Sequence, residues 1–186
     1  IVEEALAKVL ESHGSSLKVV RLHNHRFESE HAMDTVLGAL ASFKGLEELD
    51  LENSSLGPEG GAPVAKVMGA CSALHTVKLR DCGLEEDGCV LVTRGVAKMS
   101  KLQEVDIRDN DMEADSAALL GASLAGKSSV VAVKVDEDLE DGVDPIRDAL
   151  VAMGKEDALV LGDEDDDDDD YDDEGEEDEE DGEVGD

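Results

Sequence analysis

The chain has 186 residues, with 16 Lys or Arg against 49 Asp or Glu and a formal net charge of -33. Anionic charge on that scale argues against nucleic acid as a direct ligand and for basic proteins or basic surface patches as partners. No apolar run reaches the roughly 18 residues that a membrane-spanning helix needs, so membrane insertion is not expected.

The charge is unevenly placed. Residues 163–186 hold 19 Asp or Glu and no Lys or Arg, leaving 30 acidic and 16 basic residues, a net of -14, for residues 1–162. The expected division is therefore a moderately acidic folded domain over 1–162 and a disordered acidic tail over 163–186, where self-repulsion opposes collapse. Aromatic residues are confined to Phe27, Phe43 and Tyr171, and there is no Trp. Cys71, Cys82 and Cys89 are odd in number and read as buried free thiols of a reducing compartment.

Residues 1–12 have the apolar spacing of an amphipathic helix, with no strand before it. Such a segment suits the outer helix of a preceding unit, so the chain is expected to be a fragment lacking N-terminal repeats. It begins with Ile1 and shows no signal-peptide pattern.

A repeat follows. Leu17, Val20, Leu22, His25 and Phe27 occupy the slots L-x-x-L-x-L-x-x-N-x-L. Leu46, Leu49, Leu51, Ser54 and Leu56 refill them, then Leu74, Val77, Leu79, Cys82 and Leu84, then Leu102, Val105, Ile107, Asn110 and Met112. A worn copy stands at Val130, Val133 and Val135. The first slots, Leu17, Leu46, Leu74, Leu102 and Val130, thus recur at a nearly constant step of about 28 residues. Within a unit Val105 and Ile107 alternate with Glu104, Asp106 and Arg108, which predicts a short strand with one buried face. Asn110 sits where an interior side chain can satisfy the backbone of the neighbouring turn. A helical stretch such as Cys89, Val92, Val96 and Met99 comes after, and each unit has room for roughly three turns of helix.

The fold expected is an α/β leucine-rich repeat solenoid, a ribonuclease-inhibitor-like horseshoe with a parallel sheet on the concave side and helices on the convex side. Strands are predicted near 19–23, 48–52, 76–80, 104–108 and 132–136. Helices are predicted near 29–43, 58–71, 86–99 and 114–126, with Gly57-Pro58 setting one helix start. The fifth unit departs, with Asp138 in its asparagine slot and Glu140 in the next apolar slot. A last helix is predicted around Pro145, Ile146, Ala149, Leu150 and Met153, with Leu159, Val160 and Leu161 folding back on it.

The repeat register also orders the exposed strand positions. Arg21, Asp50, Lys78, Asp106 and Lys134 fall in one row, alternating in sign, and read as a self-neutralising face of lateral ion pairs.

Other patterns carry less. Gly121 to Ser128 matches G-x-x-x-x-G-K-S, but a phosphate-binding loop follows a strand and opens a helix, whereas here helix precedes strand. Lys127 is thus expected at an exposed helix end, without nucleotide. His23 is expected on the concave face and His25 in the interior, so with His31 they do not converge on one metal ion. Asp136, Asp138, Glu140 and Asp141 fail the calcium-loop pattern, because Gly142 comes one place late and Arg147 holds the twelfth position. Asn53-Ser-Ser55 is a glycosylation sequon only in a secreted protein. No catalytic arrangement, metal or cofactor is expected, and the chain is not expected to be an enzyme with its own active site.

Units of about 28 residues with a full helix resemble the ribonuclease-inhibitor class of repeats. Within that class the Ran GTPase-activating proteins carry a long acidic tail directly after the last repeat. Gly83-Leu-Glu-Glu-Asp-Gly-Cys89 followed by Lys101-Leu-Gln-Glu-Val-Asp-Ile107 is similar to that family's later repeats, most closely the plant-type members. So is the ending, Asp144-Pro-Ile-Arg-Asp-Ala-Leu150 and then Leu159-Val-Leu-Gly-Asp-Glu-Asp165 running into the polyacid. The resemblance implies a GTPase activator for the small GTPase Ran in nucleocytoplasmic transport, cytoplasmic or at the outer face of the nuclear envelope; a monomer is expected. The family orients Ran's own catalytic groups rather than inserting an arginine finger. Its catalytic residues are expected upstream of residue 1, so none is carried over to Asn24, Asn53 or Asn110. Asp165, Asp166, Asp167, Asp168, Asp169 and Asp170 are the candidate partner-binding residues. The alternatives are an acidic-tailed leucine-rich repeat protein that binds histones or other basic proteins, and a generic leucine-rich repeat adaptor.

Overall fold

In the computed structural model, residues 2–13, 16–139 and 142–162 are described. Six strands, β1 (Val19–Arg21), β2 (Glu48–Asp50), β3 (Thr76–Lys78), β4 (Glu104–Asp106), β5 (Ala132–Val135) and β6 (Leu159–Leu161), form one sheet in sequence order. Every pairing is parallel, and the register advances by the repeat length, as in Leu49 opposite Val77 opposite Val105. Helix α1 (Val2–His13) precedes β1, and α2 (Glu30–Leu40), α3 (Gly61–Ala70), α4 (Glu85–Lys98), α5 (Ala114–Leu124) and α6 (Val143–Val151) supply the crossovers; each helix packs on the next. Pro58 opens a 3₁₀ turn (Pro58–Gly60) that leads into α3 rather than opening the α-helix itself.

Between sheet and helices lies one continuous core. Val20, Leu49, Val77, Val105 and Val133 enter it from the strands, and Leu37, Val67, Val92, Leu120 and Ile146 from the helices. Leucine and valine suffice because each unit adds only a thin layer. Where two helices meet, glycine lets the backbones close. A Cβ on Gly61 would lie 2.6 Å from the Gly88 carbonyl oxygen, and one on Gly121 would overlap the Pro145 carbonyl. The glycine that opens the phosphate-loop pattern in sequence is therefore a contact point between α5 and α6.

The asparagine slot ties the units together. Ser54 Oγ donates to the Leu22 carbonyl (2.7 Å), Cys82 Sγ to Leu51 (3.0 Å) and Asn110 Nδ2 to Leu79 (2.6 Å), each reaching one unit back. Asn110 Nδ2 also meets the carbonyls of Ile107 and Arg108, and its Oδ1 accepts the amides of Cys82 and Leu84. The residue before the slot is Asn24, Asn53, Asp81 or Asp109, each at φ between 49° and 57°, a left-handed turn that Asn and Asp tolerate. Asn53 belongs to this turn. In the fifth unit Asp138 is exposed and Leu139 is buried, so no polar side chain fills the interior slot there; Glu140 lies outside the described residues.

The end of the stack corrects the sequence reading. Leu159 to Leu161 do not simply fold back on α6; they form β6, a sixth parallel strand with Leu159 opposite Val133 and Leu161 opposite Val135. Their alternation is too short to signal a strand, but the open edge of β5 offers unpaired backbone groups that a following segment can satisfy.

Candidate binding surface

The concave face is a grid of side chains set by the register. Its first row is Val19, Glu48, Thr76, Glu104 and Ala132, and its middle row is Arg21, Asp50, Lys78, Asp106, Lys134 and Val160. The ladder bonds run on beyond β1–β4, from the Leu22 amide to the Asp50 carbonyl and from the Asn24 amide to the Glu52 carbonyl. Those bonds continue the grid to a third row, His23, Glu52, Arg80 and Arg108, with Asp136 at the same repeat position on the last unit.

The alternating row is in register as the sequence predicts, but its ion pairs run one row back rather than sideways. Arg21 reaches Glu48 (2.8 Å), His23 reaches Asp50 (2.7 Å) and Lys134 reaches Glu104 (3.4 Å). Arg108 grips Asp106 within its own strand, Nε to Oδ1 at 3.0 Å and Nη2 to Oδ2 at 2.7 Å. The reason is length. Neighbouring strands lie about 4.8 Å apart, too close for an extended Arg or Lys to end on the lateral neighbour, whereas the carboxylate one row back fits its reach. Asp50 and Asp106 become the floor of the face, 2% and 1% exposed, under the longer side chains around them. Lys78 has no ion pair among the described residues, although it lies beside both. The Glu52 carboxyl is pushed up from its ordinary value, first by burial and then by the charge of Asp50.

At one end of the face the carboxylates gather. Asp109, Asp111, Glu113, Asp136 and Asp138 line an open hollow of about 350 Å³ with Met112. Asp136 accepts the Asp109 amide (2.7 Å), yet burial and the surrounding carboxylates raise its pKa. The last described residue, Gly162, lies near Glu137. Its amide donates to the Val135 carbonyl (3.1 Å) and its carbonyl accepts Arg108 Nη1 (3.0 Å). Asp165 to Asp170, the candidate partner-binding residues, lie outside the described residues, as does the whole of 163–186.

The remaining motifs find structural places. Lys127 is not the fully exposed helix-end residue its position suggests. It is half-buried and donates to the carbonyls of Met99 (2.7 Å) and Ala97 (3.3 Å), capping the end of α4, and burial lowers its pKa. His23 faces the concave side; His25 turns away, its ring edge-to-face on Phe27 (4.5 Å), and His31 starts α2 in solvent. The three histidines do not converge. His23 instead meets Asp50 and Glu52, with ligand atoms all within 4.8 Å of one another. The single repeat step from His23 to Glu52 contains that neighbour relation, which a search among histidines alone does not reach. The thiols of Cys71, Cys82 and Cys89 are buried and unbridged, and burial pushes those of Cys82 and Cys89 up to about 12.

No protein-family model matches the chain, and no curated protein does. Among solved structures, the tropomodulin C-terminal domain of Caenorhabditis elegans superposes with a TM-score of 0.69, over 83% of this chain and 94% of that one, at 13% sequence identity. At that identity the likeness is one of fold, and with the six-stranded parallel sheet it makes the chain a leucine-rich repeat solenoid.

Proposed function

We propose that this solenoid is a protein-binding scaffold for the small GTPase Ran and acts as a GTPase-activating protein in nucleocytoplasmic transport, in the cytoplasm or at the outer face of the nuclear envelope. The activity is regulatory: the scaffold orients its partner's own catalytic groups and uses no cofactor. The observation that carries this reading is the junction at Gly162. A strand in register ends at Leu161, Arg108 and Val135 hold Gly162, and in the sequence the polyacid of 163–186 begins at the next residue. A polyanion starting directly from the last repeat is the feature on which the resemblance to the Ran GTPase-activating proteins rests. The body's carboxylates add to the tail's, so a basic surface is the partner chemistry both favour.

The rival is an acidic-tailed leucine-rich repeat protein that takes histones. It shares the tail, but the proteins of that kind resemble shorter units with little helix. Here the register steps from Leu49 to Val77 to Val105 to Val133, long enough for a full helix in each crossover. The test measures association of the full chain with GTP-loaded Ran and, side by side, with core histones at physiological salt. Saturable binding to Ran with stronger discrimination than for histones is expected. Equal or tighter histone binding, with no saturable Ran complex, would transfer the assignment to the rival.

A further inference from the structure

We propose that His23, Asp50 and Glu52 form a binding site for a divalent cation of the zinc class on the concave face, at the β1–β2 end of the sheet. The three side chains come from adjacent strands held by the Leu22-to-Asp50 and Asn24-to-Glu52 backbone bonds, so the sheet itself fixes their spacing. His23 Nε2, a carboxylate oxygen of Asp50 and one of Glu52 lie within 4.8 Å of one another.

Two features of these side chains favour a bound cation. Asp50 is a carboxylate with 2% exposure, and its Oδ1 accepts the Glu52 amide (3.2 Å), which orients Oδ2 towards His23. A buried carboxylate so oriented is a positioned donor rather than a solvated charge. Glu52 is half-buried beside it, and among the described residues its carboxylate makes no hydrogen bond and no ion pair. Arg21 is turned to Glu48 instead, and Lys78 acts on Glu52 only at longer range. Two carboxylates and one imidazole thus surround a gap that a single cation can fill.

The donor set selects the ion class. One imidazole nitrogen and two carboxylate oxygens suit zinc and its neighbours, whereas calcium and magnesium favour oxygen alone. Zinc bonds of about 2.0–2.2 Å place tetrahedral ligands roughly 3.3–3.6 Å apart. The His23–Asp50 contact of 2.7 Å therefore opens slightly, and Glu52, with its rotatable stem, closes in. On binding, the metal takes the lone pair of His23 Nε2, and the proton that Nε2 holds against Asp50 Oδ2 moves to Nδ1 of the neutral ring, or to solvent from the charged one. The fourth position faces the open concave side, where water or a partner's side chain can complete the coordination.

The test uses Zn²⁺ and the full chain. The acidic tail supplies only oxygen donors, giving a weak background common to every variant. Calorimetric titration is expected to resolve one saturable site above that background, weakened about ten-fold or more in His23→Ala and in Glu52→Gln, and retained in His31→Ala. In the unmutated protein the His23 ring nitrogen resonance is expected to shift at one equivalent of Zn²⁺, ahead of the other histidines, which reads the site even where a variant folds poorly. An identical isotherm for His23→Ala, a titration showing only the background, or a His23 resonance that stays put would each overturn the proposal.

Discussion

Replacing Asn110 by Ala removes a side chain that makes five hydrogen bonds and is fully buried. Two of its partners are the Cys82 and Leu84 amides, both accepted by Oδ1. A buried donor left without a partner costs about 1–3 kcal/mol. The three carbonyls at Leu79, Ile107 and Arg108 lose a donor but tolerate it better, having two lone pairs each. The sum comes to about 3–5 kcal/mol, a large part of the roughly 5–15 kcal/mol that a domain of this kind has. The same slot elsewhere gives an internal scale. Ser54→Ala breaks one donated bond to Leu22 and one accepted from His25, for about 1–2 kcal/mol, and Cys82→Ala loses a weaker thiol donor, for about 1 kcal/mol or less. Urea unfolding of the three variants should therefore rank Asn110 well above Ser54, and Ser54 above Cys82. Because a solenoid's units interact mainly with their neighbours, hydrogen exchange should speed up at Cys82 and Leu84 while the β1 amides keep their protection. A loss below about 1 kcal/mol for Asn110→Ala, with unchanged exchange at those two amides, would refute the view that this slot carries the inter-unit connection.

Gly121→Ala drives a methyl into the Pro145 carbonyl and should cost about 1–3 kcal/mol in thermal or urea unfolding. Glu86 accepts the amides of Glu113 and Ser116 at the start of α5, so Glu86→Ala should cost about 1–2 kcal/mol, measurable by the same methods. Lys127→Ala should cost about 1 kcal/mol or less through the lost cap on α4 and leave nucleotide behaviour unchanged in ATP and GTP titrations. Cys82 and Cys89 have thiols raised from 9.0 to about 12 in the folded state, so their contribution to stability is complete below pH 9 and declines as pH rises towards 12, which urea melts across that range would reveal. Ending the chain after Gly162 should leave the melting temperature unchanged, yet slow association with Ran about ten-fold at low salt, an effect that fades as the screening length falls to about 8 Å at physiological ionic strength.

The parts legible in the sequence are those that physics makes repeat. Leu49, Val77 and Val105 must fill one layer after another at a fixed step, so their spacing alone fixes strands, register and sheet order. Asn110 and its counterparts are legible for the same reason. The left-handed turn is legible too, since Asn24, Asn53, Asp81 and Asp109 recur one place before each slot. β6 is hidden because Leu159 follows its partner Val133 by less than a full repeat step, and so short a strand carries too little alternation to declare itself. On the concave face the register is legible and the pairing is not. Which carboxylate Arg21 chooses depends on side-chain reach across a curved sheet, a quantity that no linear spacing contains.

The same division explains where a partner can act on this surface. Arg21, Lys134, Arg108 and Arg80 already hold carboxylates, and a ligand that recruits them must first break those contacts. Lys78 stands among Asp50, Glu52 and Asp106 without an ion pair of its own among the described residues, so its charge is available at no such cost. At the other end of the sheet the excess is negative, in the hollow between Asp109 and Asp138, and Gly162, the residue before the polyacid in sequence, is held by Arg108 and Val135. Anionic charge is thereby delivered from a fixed point on the scaffold, whatever path the chain takes beyond it. Such a charge speeds encounter with a basic surface at long range, and the concave grid then decides fit at short range. The two roles separate in measurement: losing the tail changes the association rate and its salt dependence, while Lys78→Ala changes the dissociation rate and leaves the salt slope nearly intact.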